Sequence, residues 1–381
     1  MRIIHHEELL KRIRIMSLTN YITLGNSGLR VSPMCLGTMT FGNEWGVVGT
    51  NIEESLDVLG CYLDRGGNFL DTANVYTKGH SEKIIGDYFA DHPSKRDRTV
   101  IATKFCGNMY PNDPNGGGSG RKAIIHQVED SLRRLQTEYI DMLWVHFWDR
   151  HTPLVETMST LNDLVRSGKV RHIGFSDHPA WVCVEAQNIA RQHGWEQLIA
   201  IQIEYSMLQR TPEDELLPMA KHMGLGVTPW SPLRGGVLSG KYTRDSRPSP
   251  EDTRAAVDSP YLIESTYALL DVINEGCNEL GDTINATPAQ VALNWVQSNS
   301  AVTSTIIGAK RLSQLEDNLG ALNFELTPEQ RTRIEAACAY DKHFPHNFLD
   351  RIAPAIQNGT TINDQPSDSW GLSPTSDEDR H

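Results

Sequence analysis

Short apolar segments alternate with longer segments of helical periodicity along most of the chain. Eight apolar segments are rich in β-branched residues and end in small or polar ones, a pattern typical of buried strands. They are MCLGTMTF (34–41), NFLDTA (68–73), TVIATK (99–104), YIDMLWVHF (139–147), VRHIGFSD (170–177), IAIQIEYS (199–206), GVTPWSP (226–232) and TSTIIGA (303–309). Before them, YITL and LRVSP flank the turn sequence Gly25-Asn26-Ser27-Gly28 and predict a hairpin.

Segments of helical periodicity separate these strands. They span Glu53–Arg65, Ser81–Ala90, Arg121–Leu135, Pro153–Ser167, Pro179–His193, Glu213–Met223, Tyr261–Leu280 with Ala289–Gln297, and Leu312–Leu319. Strands that alternate with helices pair in parallel, and eight of them close into a barrel. A doubly wound open sheet is the rival fold, but no GxGxxG sequence follows any strand. The sequence therefore predicts an α/β fold, a (β/α)8 TIM barrel with an N-terminal hairpin and a C-terminal extension.

Three regions follow from this pattern: an N-terminal appendage at 1–20, the barrel at 21–341 and a C-terminal tail at 342–381. The appendage contains a second methionine, Met16. The segment is consistent with an upstream translation start or with a short amphipathic helix, and its acidic residues make a mitochondrial presequence the less favoured interpretation. Residues 357–381 are poor in residues that pack, so a flexible or loosely docked tail is expected. The Gly- and Pro-rich segment 233–258 predicts a mobile flap.

Composition excludes several classes of protein. With 39% hydrophobic and 22% charged residues, the chain is expected to be soluble and globular, and no apolar run approaches the ~18 residues of a membrane span. The formal net charge of −13 argues against nucleic acid or an anionic membrane as main partner. Six scattered cysteines, without a CxxC pair, predict reduced thiols in a cytoplasmic protein. No cluster has the spacing of metal ligands, so no metal site is expected.

Four residues suited to acid–base chemistry lie at or just beyond the ends of three neighbouring strands: Asp71, Tyr76, Lys104 and His146. Each alone has an ordinary structural explanation, such as capping, packing or solvation. Together, at one barrel mouth, they suit carbonyl reduction, in which the oxygen receives a proton and the carbon a hydride. Tyr76 would donate the proton, Lys104 would lower its pKa, and Asp71 would hold the lysine. His146 would bind the carbonyl oxygen.

The hydride requires a cofactor, because no side chain supplies one. Ser176, Asp177 and Gln202 form a polar set that fits a nicotinamide carboxamide, and Trp230 offers a ring on which the nicotinamide stacks. Packing at the barrel rim explains Trp230 equally well.

Basic residues after the last strand predict where the cofactor's phosphates bind. Lys310 and Arg311 follow Gly308 at the start of a helix, which favours a 2′-phosphate and hence NADP, although a solvated basic turn is the alternative. GGVLSGKY imitates a P-loop, but Tyr242 replaces the hydroxyl residue that would hold Mg²⁺. Nucleotide hydrolysis is therefore not expected.

Eight motifs follow one another along the chain: LGTMTFG, FLDTANVYTKGHSEKIIG, ATKF, LWVHFWD, GFSD, QIEYS, WSPLRGGVLSGKY and IIGAKRLSQLEDNLGAL. Together they resemble the aldo-keto reductases, from about Tyr21 to Tyr340. The resemblance implies an NADP-dependent barrel whose catalytic tetrad is Asp71, Tyr76, Lys104 and His146. It carries the family's cofactor contacts to Thr38, Met39, Asp71, Ser176, Gln202, Trp230, Ser231, Pro232, Leu233, Gly235, Lys241, Gly308, Lys310, Gln314 and Asn318, with Arg254 as an addition. Asp177 stands where the family commonly has Asn, and its carboxylate would accept from the carboxamide nitrogen instead.

Within the family, the motifs are most similar to the bacterial and fungal aryl-alcohol-dehydrogenase-like members and to the beta subunits of potassium channels. The beta subunits imply an alternative, an NADP-binding regulatory subunit with only slow reductase activity, although they resemble the family with Asn where this chain has His146. A lyase or isomerase on a bare barrel lacks paired carboxylates or a metal set. Four residues are predicted to line the substrate pocket and imply a small apolar or aromatic carbonyl compound: Trp45, Met109, Tyr110 and Trp148. Burial at the surface explains them equally well.

Overall fold

A sheet of eight parallel strands forms the centre of the computed structural model, which describes residues 16–245, 260–281 and 285–380. An antiparallel hairpin of β1 (Ile22–Thr23) and β2 (Arg30–Val31) precedes the sheet. The sheet strands are β3 (Met34–Gly37), β4 (Phe69–Asp71), β5 (Val100–Phe105), β6 (Ile140–Val145), β7 (Val170–Ser176), β8 (Leu198–Glu204), β9 (Gly226–Trp230) and β10 (Thr305–Gly308). The predicted hairpin and all eight predicted strands are confirmed.

The strands follow one another around a barrel. β3 to β9 pair in chain order, and β10 returns to pair with β3. Thr303, just before β10, donates its backbone N–H to the Val227 carbonyl of β9 at 2.8 Å and so joins the two ends of the sheet. The predicted (β/α)8 barrel is therefore confirmed, and the carboxyl ends of its strands form one rim.

Helices connect the strands of the barrel and also follow its last strand. They are α1 (Ile52–Asp64), α2 (His80–Asp91), α3 (Pro93–Arg96), α4 (Arg121–Leu135), α5 (Leu154–Arg166), α6 (Ala180–His193), α7 (Leu216–Met223), α8 (Glu264–Gly281), α9 (Pro288–Gln297), α10 (Leu312–Leu319), α11 (Pro328–Ala337) and α12 (His346–Ile352). The sequence interpretation missed α11, although Thr327, Pro328 and Gln330 carry its start signal. Thr327 and Gln330 form a capping box there.

The β1–β2 hairpin closes the end of the barrel that lies opposite the carboxyl ends of the strands. Leu24 and Val31 are fully buried and pack with inward-facing residues of the strands, among them Trp144. The turn approaches β8 and β9 so closely that a Cβ on Gly25 would lie 2.1 Å from the Ile199 carbonyl oxygen, and Gly25 also has a φ of +59°. Only glycine fits there. With this end filled, the opposite rim is left for chemistry.

The chain divides into two compact units, of which the second begins at Ala339. The sequence predicts a flexible or loosely docked tail over 357–381, and the second unit, which includes these residues, has local structure. It contains α12 and a short hairpin of β11 (Thr361–Ile362) and β12 (Gln365–Pro366). The side-chain oxygen of Asn358 accepts from the Trp370 backbone N–H at 2.8 Å, an interaction that composition does not reveal.

Some predictions concern residues outside the described ranges. They are most of the N-terminal appendage (1–15), the later part of the flap (246–258) and Arg254. Within the described ranges, no helix has the length and apolar character needed to cross a bilayer.

Candidate active site

Lys104 lies at the centre of the rim and is completely buried. Its ammonium group donates to the Asp71 carboxylate, to the Thr72 carbonyl at 3.0 Å and to the Tyr76 hydroxyl at 2.9 Å. A buried ammonium needs such a set, since burial without a partner strongly disfavours its charge. Gln202 completes the cluster, because its side-chain N–H donates to the other Asp71 oxygen at 2.9 Å. The predicted Asp71, Tyr76 and Lys104 are thus brought together.

Tyr76 sits in a loop with unusual backbone geometry. The next three residues, Thr77, Lys78 and Gly79, all have positive φ angles, of 45°, 58° and 91°. Such angles are rare outside glycine, above all for a β-branched residue. The Thr77 hydroxyl compensates by donating to the Phe41 carbonyl at 2.7 Å and accepting from the Ser81 N–H at 3.0 Å. These contacts hold the loop in the conformation that points Tyr76 at Lys104.

The electrostatics of this cluster differ from the sequence prediction in one respect. The nearby ammonium was expected to lower the pKa of Tyr76, but burial raises that pKa, and the opposing effect of Lys104 is smaller. The main reason is the desolvation of the buried phenol, and the Asp71 carboxylate adds a smaller effect in the same direction. Burial also disfavours the charge on Lys104, yet Asp71 and Tyr76 together raise the pKa of the lysine. At neutral pH the phenol is therefore protonated and the amine charged.

His146 follows β6 and faces the same cluster. Its ring lies edge-on to the Tyr76 ring, with centroids 5.9 Å apart, and stacks on Phe147 at 4.0 Å. Burial, with a smaller contribution from Lys104, lowers the pKa of His146 to about 2, so the imidazole is neutral. Its Nδ1 atom is buried and has no hydrogen-bond partner among the described residues. The ring is thus a neutral group beside the phenol, and all four predicted acid–base residues lie at one place.

A second polar group lies across the rim, where nicotinamide binding was predicted. Trp230, at the end of β9, is half-buried, and its indole N–H donates to the Asp177 carboxylate at 2.9 Å. Ser176 is buried at the end of β7, and its hydroxyl lies 3.4 Å from the other Asp177 oxygen. Burial of the carboxyl raises the pKa of Asp177, although much of the residue is exposed. Gln202 differs from the prediction in that its amide N–H is directed to Asp71.

The turn after β10 forms the predicted phosphate region. Gly308 is exposed, and its Cα has open space in the direction of a side chain. Gln314 accepts from the Lys310 backbone N–H at 2.9 Å, and Asn318 donates to the Gly308 carbonyl at 3.1 Å. Helix α10 begins next, and no side chain caps its N-terminus at Arg311. Gln314 and Asn318 therefore shape this turn, and the helix leaves backbone N–H groups for an anion.

The other predicted cofactor residues lie on two loops of the rim. Thr38 is fully buried, and its hydroxyl donates to the Asp71 carbonyl at 3.1 Å, whereas Met39 is half-buried. The loop after β9 carries the remaining ones that the structure describes: Ser231, Pro232, Leu233, Gly235 and Lys241. Ser231 and Gly235 have positive φ angles, of 55° and 64°, so this loop turns sharply at the rim.

The four predicted substrate-pocket residues have different surroundings. Trp45 packs edge-on against Tyr76, with ring centroids 6.2 Å apart. Tyr110 instead stacks on His126 of α4 at 4.8 Å. Trp148 packs edge-on against Trp181 at 5.3 Å, and Met109 is half-buried. Only Trp45 among them has a ring contact with Tyr76 in the described part of the chain.

Sequence reasoning missed the residues that shape the loop between β5 and α4. Gln127 of α4 accepts from the Cys106 N–H at 3.0 Å and from the Asn74 side chain at 2.9 Å, linking this loop to the one that bears Tyr76. Asp149 accepts from the Ser119 N–H at 3.0 Å. The helical periodicity of α4 showed only that Gln127 lies on a helix. Its buried position facing Cys106 depends on tertiary packing.

The residues present fit a dinucleotide cofactor. A half-buried aromatic ring lies beside buried polar groups at one side of the rim, and an uncapped helix N-terminus follows an open glycine at the other. Tyr76, the predicted proton donor, lies at the same rim in contact with Lys104. In the parts of the chain that are described, no group of His, Cys, Asp or Glu is arranged to hold a metal ion.

Comparison with known proteins identifies relatives. The family model for the aldo/keto reductase family matches residues 33–339. An uncharacterized oxidoreductase of Bacillus subtilis is 39% identical over 318 residues, which cover 81% of this chain and 93% of that protein. An aryl-alcohol dehydrogenase of Pestalotiopsis microspora is 35% identical, over 85% of this chain and 83% of its own. A norsolorinic acid reductase of Aspergillus flavus is 34% identical, over 86% and 83%.

Proposed function

The chain belongs to the aldo/keto reductase family, and from that membership and the rim geometry we propose that it is an NADPH-dependent reductase of aldehydes and ketones. The hydrogen bond of 2.9 Å between the Lys104 ammonium and the Tyr76 hydroxyl carries this proposal. A buried, charged lysine held by Asp71 against a protonated phenol is an arrangement that serves proton transfer. For stability alone, this buried charged arrangement has no evident advantage over apolar residues packed in the same place.

Tyr76 acts as the general acid in this proposal. A carbonyl oxygen becomes more basic as a hydride arrives at its carbon, and an alkoxide is a far stronger base than a phenolate. Tyr76 therefore gives up its proton even though burial raises its pKa. The phenolate that remains lies 2.9 Å from the Lys104 ammonium, which stabilises it as it forms.

His146 orients the carbonyl. Because its imidazole is neutral, one ring nitrogen carries a hydrogen and can donate to the oxygen without competing with Tyr76 as an acid. Its edge-on packing against Tyr76 keeps the imidazole beside the phenol, where both groups can reach one carbonyl oxygen.

When bound, NADPH supplies the hydride to the carbonyl carbon. Trp230 and Asp177 would hold its nicotinamide side, and Lys310 with the N-terminus of α10 would hold the 2′-phosphate. Lys310 supports NADPH over NADH, because only NADPH carries a 2′-phosphate for it to bind.

Aromatic carbonyl compounds are the proposed substrates. Trp45 borders Tyr76 and offers an aromatic wall at the reacting position. The relatives named aryl-alcohol dehydrogenase and norsolorinic acid reductase agree with this class. We propose a cytoplasmic location, which six free cysteines support.

A carbonyl panel assayed with NADPH and with NADH tests this function. The protein should oxidise NADPH, followed at 340 nm, with an aromatic aldehyde such as 4-nitrobenzaldehyde. Tyr76→Phe should lower kcat by about 10²- to 10⁴-fold, the usual contribution of a general acid, and leave NADPH affinity nearly unchanged. Full activity in this variant would remove Tyr76 from its role. NADPH binding without turnover of any carbonyl would favour a regulatory subunit.

A further inference from the structure

Asp177 places a carboxylate at the rim that forms no ion pair with any described residue. The residue directly follows β7 in the left-handed conformation, with a φ of 51°, and its backbone N–H donates to the Gln202 carbonyl at 3.0 Å. No Lys, Arg or His of the described ranges forms an ion pair with its carboxylate. Its hydrogen-bond partners are the uncharged Trp230 and Ser176.

Two other acidic groups of the rim differ in this respect. Asp71 is paired with Lys104, and Glu204, at the end of β8, is paired with Arg234. The opposite charges of each pair largely cancel, so each pair contributes little net field at the barrel mouth. The field at the Trp230 side of the rim therefore comes mainly from Asp177.

The carboxylate is also fixed in place. One oxygen accepts from the Trp230 indole N–H at 2.9 Å, and the other lies 3.4 Å from the Ser176 hydroxyl. The negative charge therefore lies at the edge of the ring on which the nicotinamide is proposed to stack. An asparagine would make the same hydrogen bond, so that bond alone does not require the charge.

We propose that Asp177 makes the site distinguish the two redox forms of the cofactor by strengthening the binding of NADP⁺ and leaving that of NADPH nearly unaffected. The inference rests on the proposed function. The oxidised nicotinamide ring carries a positive charge that the reduced ring lacks, whereas the phosphates and the adenine are the same in both forms. A fixed carboxylate beside the ring therefore attracts only the oxidised form.

This preference has a consequence for the reaction. By linkage, each tenfold preference for the oxidised form makes the potential of the bound two-electron couple about 30 mV more negative. Bound NADPH becomes a stronger reductant than free NADPH. The same attraction slows NADP⁺ release and increases product inhibition.

Asp177→Asn tests the inference, because it removes the charge and retains an oxygen that accepts from Trp230. Dissociation constants for NADP⁺ and NADPH are measured separately by calorimetry at pH 8, with no carbonyl substrate present. The variant should bind NADP⁺ about tenfold more weakly, the effect of one charge pair near a protein surface, and NADPH within about twofold of the parent. Glu196→Gln is the matched control, since it removes an exposed acid just before β8, at the opposite end of the barrel.

Three other outcomes of these binding measurements would each refute a specific claim. Equal weakening of both forms in Asp177→Asn would show that the residue makes a contact independent of charge, and unchanged constants would show that its charge has no effect. Either result refutes the inference and leaves the proposed function intact. Failure of the parent protein to bind either form would refute the proposed function as well. Asp177→Ser provides a second neutral variant, and thermal unfolding verifies that each variant is folded.

Discussion

Removing the ammonium of Lys104 should affect folding and catalysis separately. Lys104→Met keeps the length of the side chain and deletes its charge. Asp71, which is 3% exposed, then keeps a buried carboxylate whose remaining side-chain partner is Gln202. Tyr76 loses the group that stabilises its phenolate.

The structure sets the size of both effects. Breaking a buried ion pair by removing one partner costs about 3–5 kcal/mol, because the other charge stays desolvated. Replacing both charges avoids that cost, so Asp71→Asn combined with Lys104→Met should recover most of the lost stability. Catalysis should not recover, since proton transfer needs the ammonium. Both variants should lose about 10²- to 10⁴-fold in kcat.

Urea unfolding followed by tryptophan fluorescence measures the first effect, and NADPH oxidation with an aromatic aldehyde measures the second. The account predicts a single variant that is both unstable and inactive, and a double variant that is stable and inactive. A single variant as stable as the parent would show that Asp71 and Lys104 are not a desolvated pair. A double variant with parental activity would show that the ammonium does not assist Tyr76.

Two further predictions concern the cofactor and pH. Lys310→Ala should raise the Kd for NADPH more than the Kd for NADH, measured by fluorescence titration; equal losses would place the 2′-phosphate elsewhere. His146 has a folded-state pKa of about 2, so below pH 6.5 this histidine is protonated in the unfolded chain but stays neutral in the folded chain. The free energy of unfolding therefore decreases by about 1.4 kcal/mol for each unit by which the pH is lowered below 6.5. His146→Asn should remove this pH dependence, so that between pH 7.5 and pH 5 the variant loses about 2 kcal/mol less unfolding free energy than the parent, measured by urea unfolding. The same pH dependence of stability in both proteins would indicate a hydrated histidine.

Much of the fold was predictable because parallel barrel strands are buried on both faces and form short apolar runs. Asp71, Lys104 and His146 end or follow three such runs, and barrel topology brings their ends together. Their mutual proximity therefore followed from the strand order alone. The helix α11 was also within reach, because its capping residues are local.

Other features depend on packing that local sequence does not encode. Gln202 donates to Asp71 from across the barrel, and this direction of its amide is a property of the closed sheet. The pKa of Tyr76 rises because burial outweighs a partly neutralised ammonium, a balance that residue types alone do not decide. Tyr110 stacks on His126 because the loop between β5 and α4 folds against that helix.

Deuterium transfer tests the central claim most directly. The protein is incubated with an aromatic aldehyde and NADPH that carries deuterium at the transferable position, and the alcohol is analysed by mass spectrometry. The account predicts one deuterium on the former carbonyl carbon with the parent protein, and almost no alcohol with Tyr76→Phe. Alcohol without deuterium on that carbon, or undiminished labelled product from Tyr76→Phe, would contradict it.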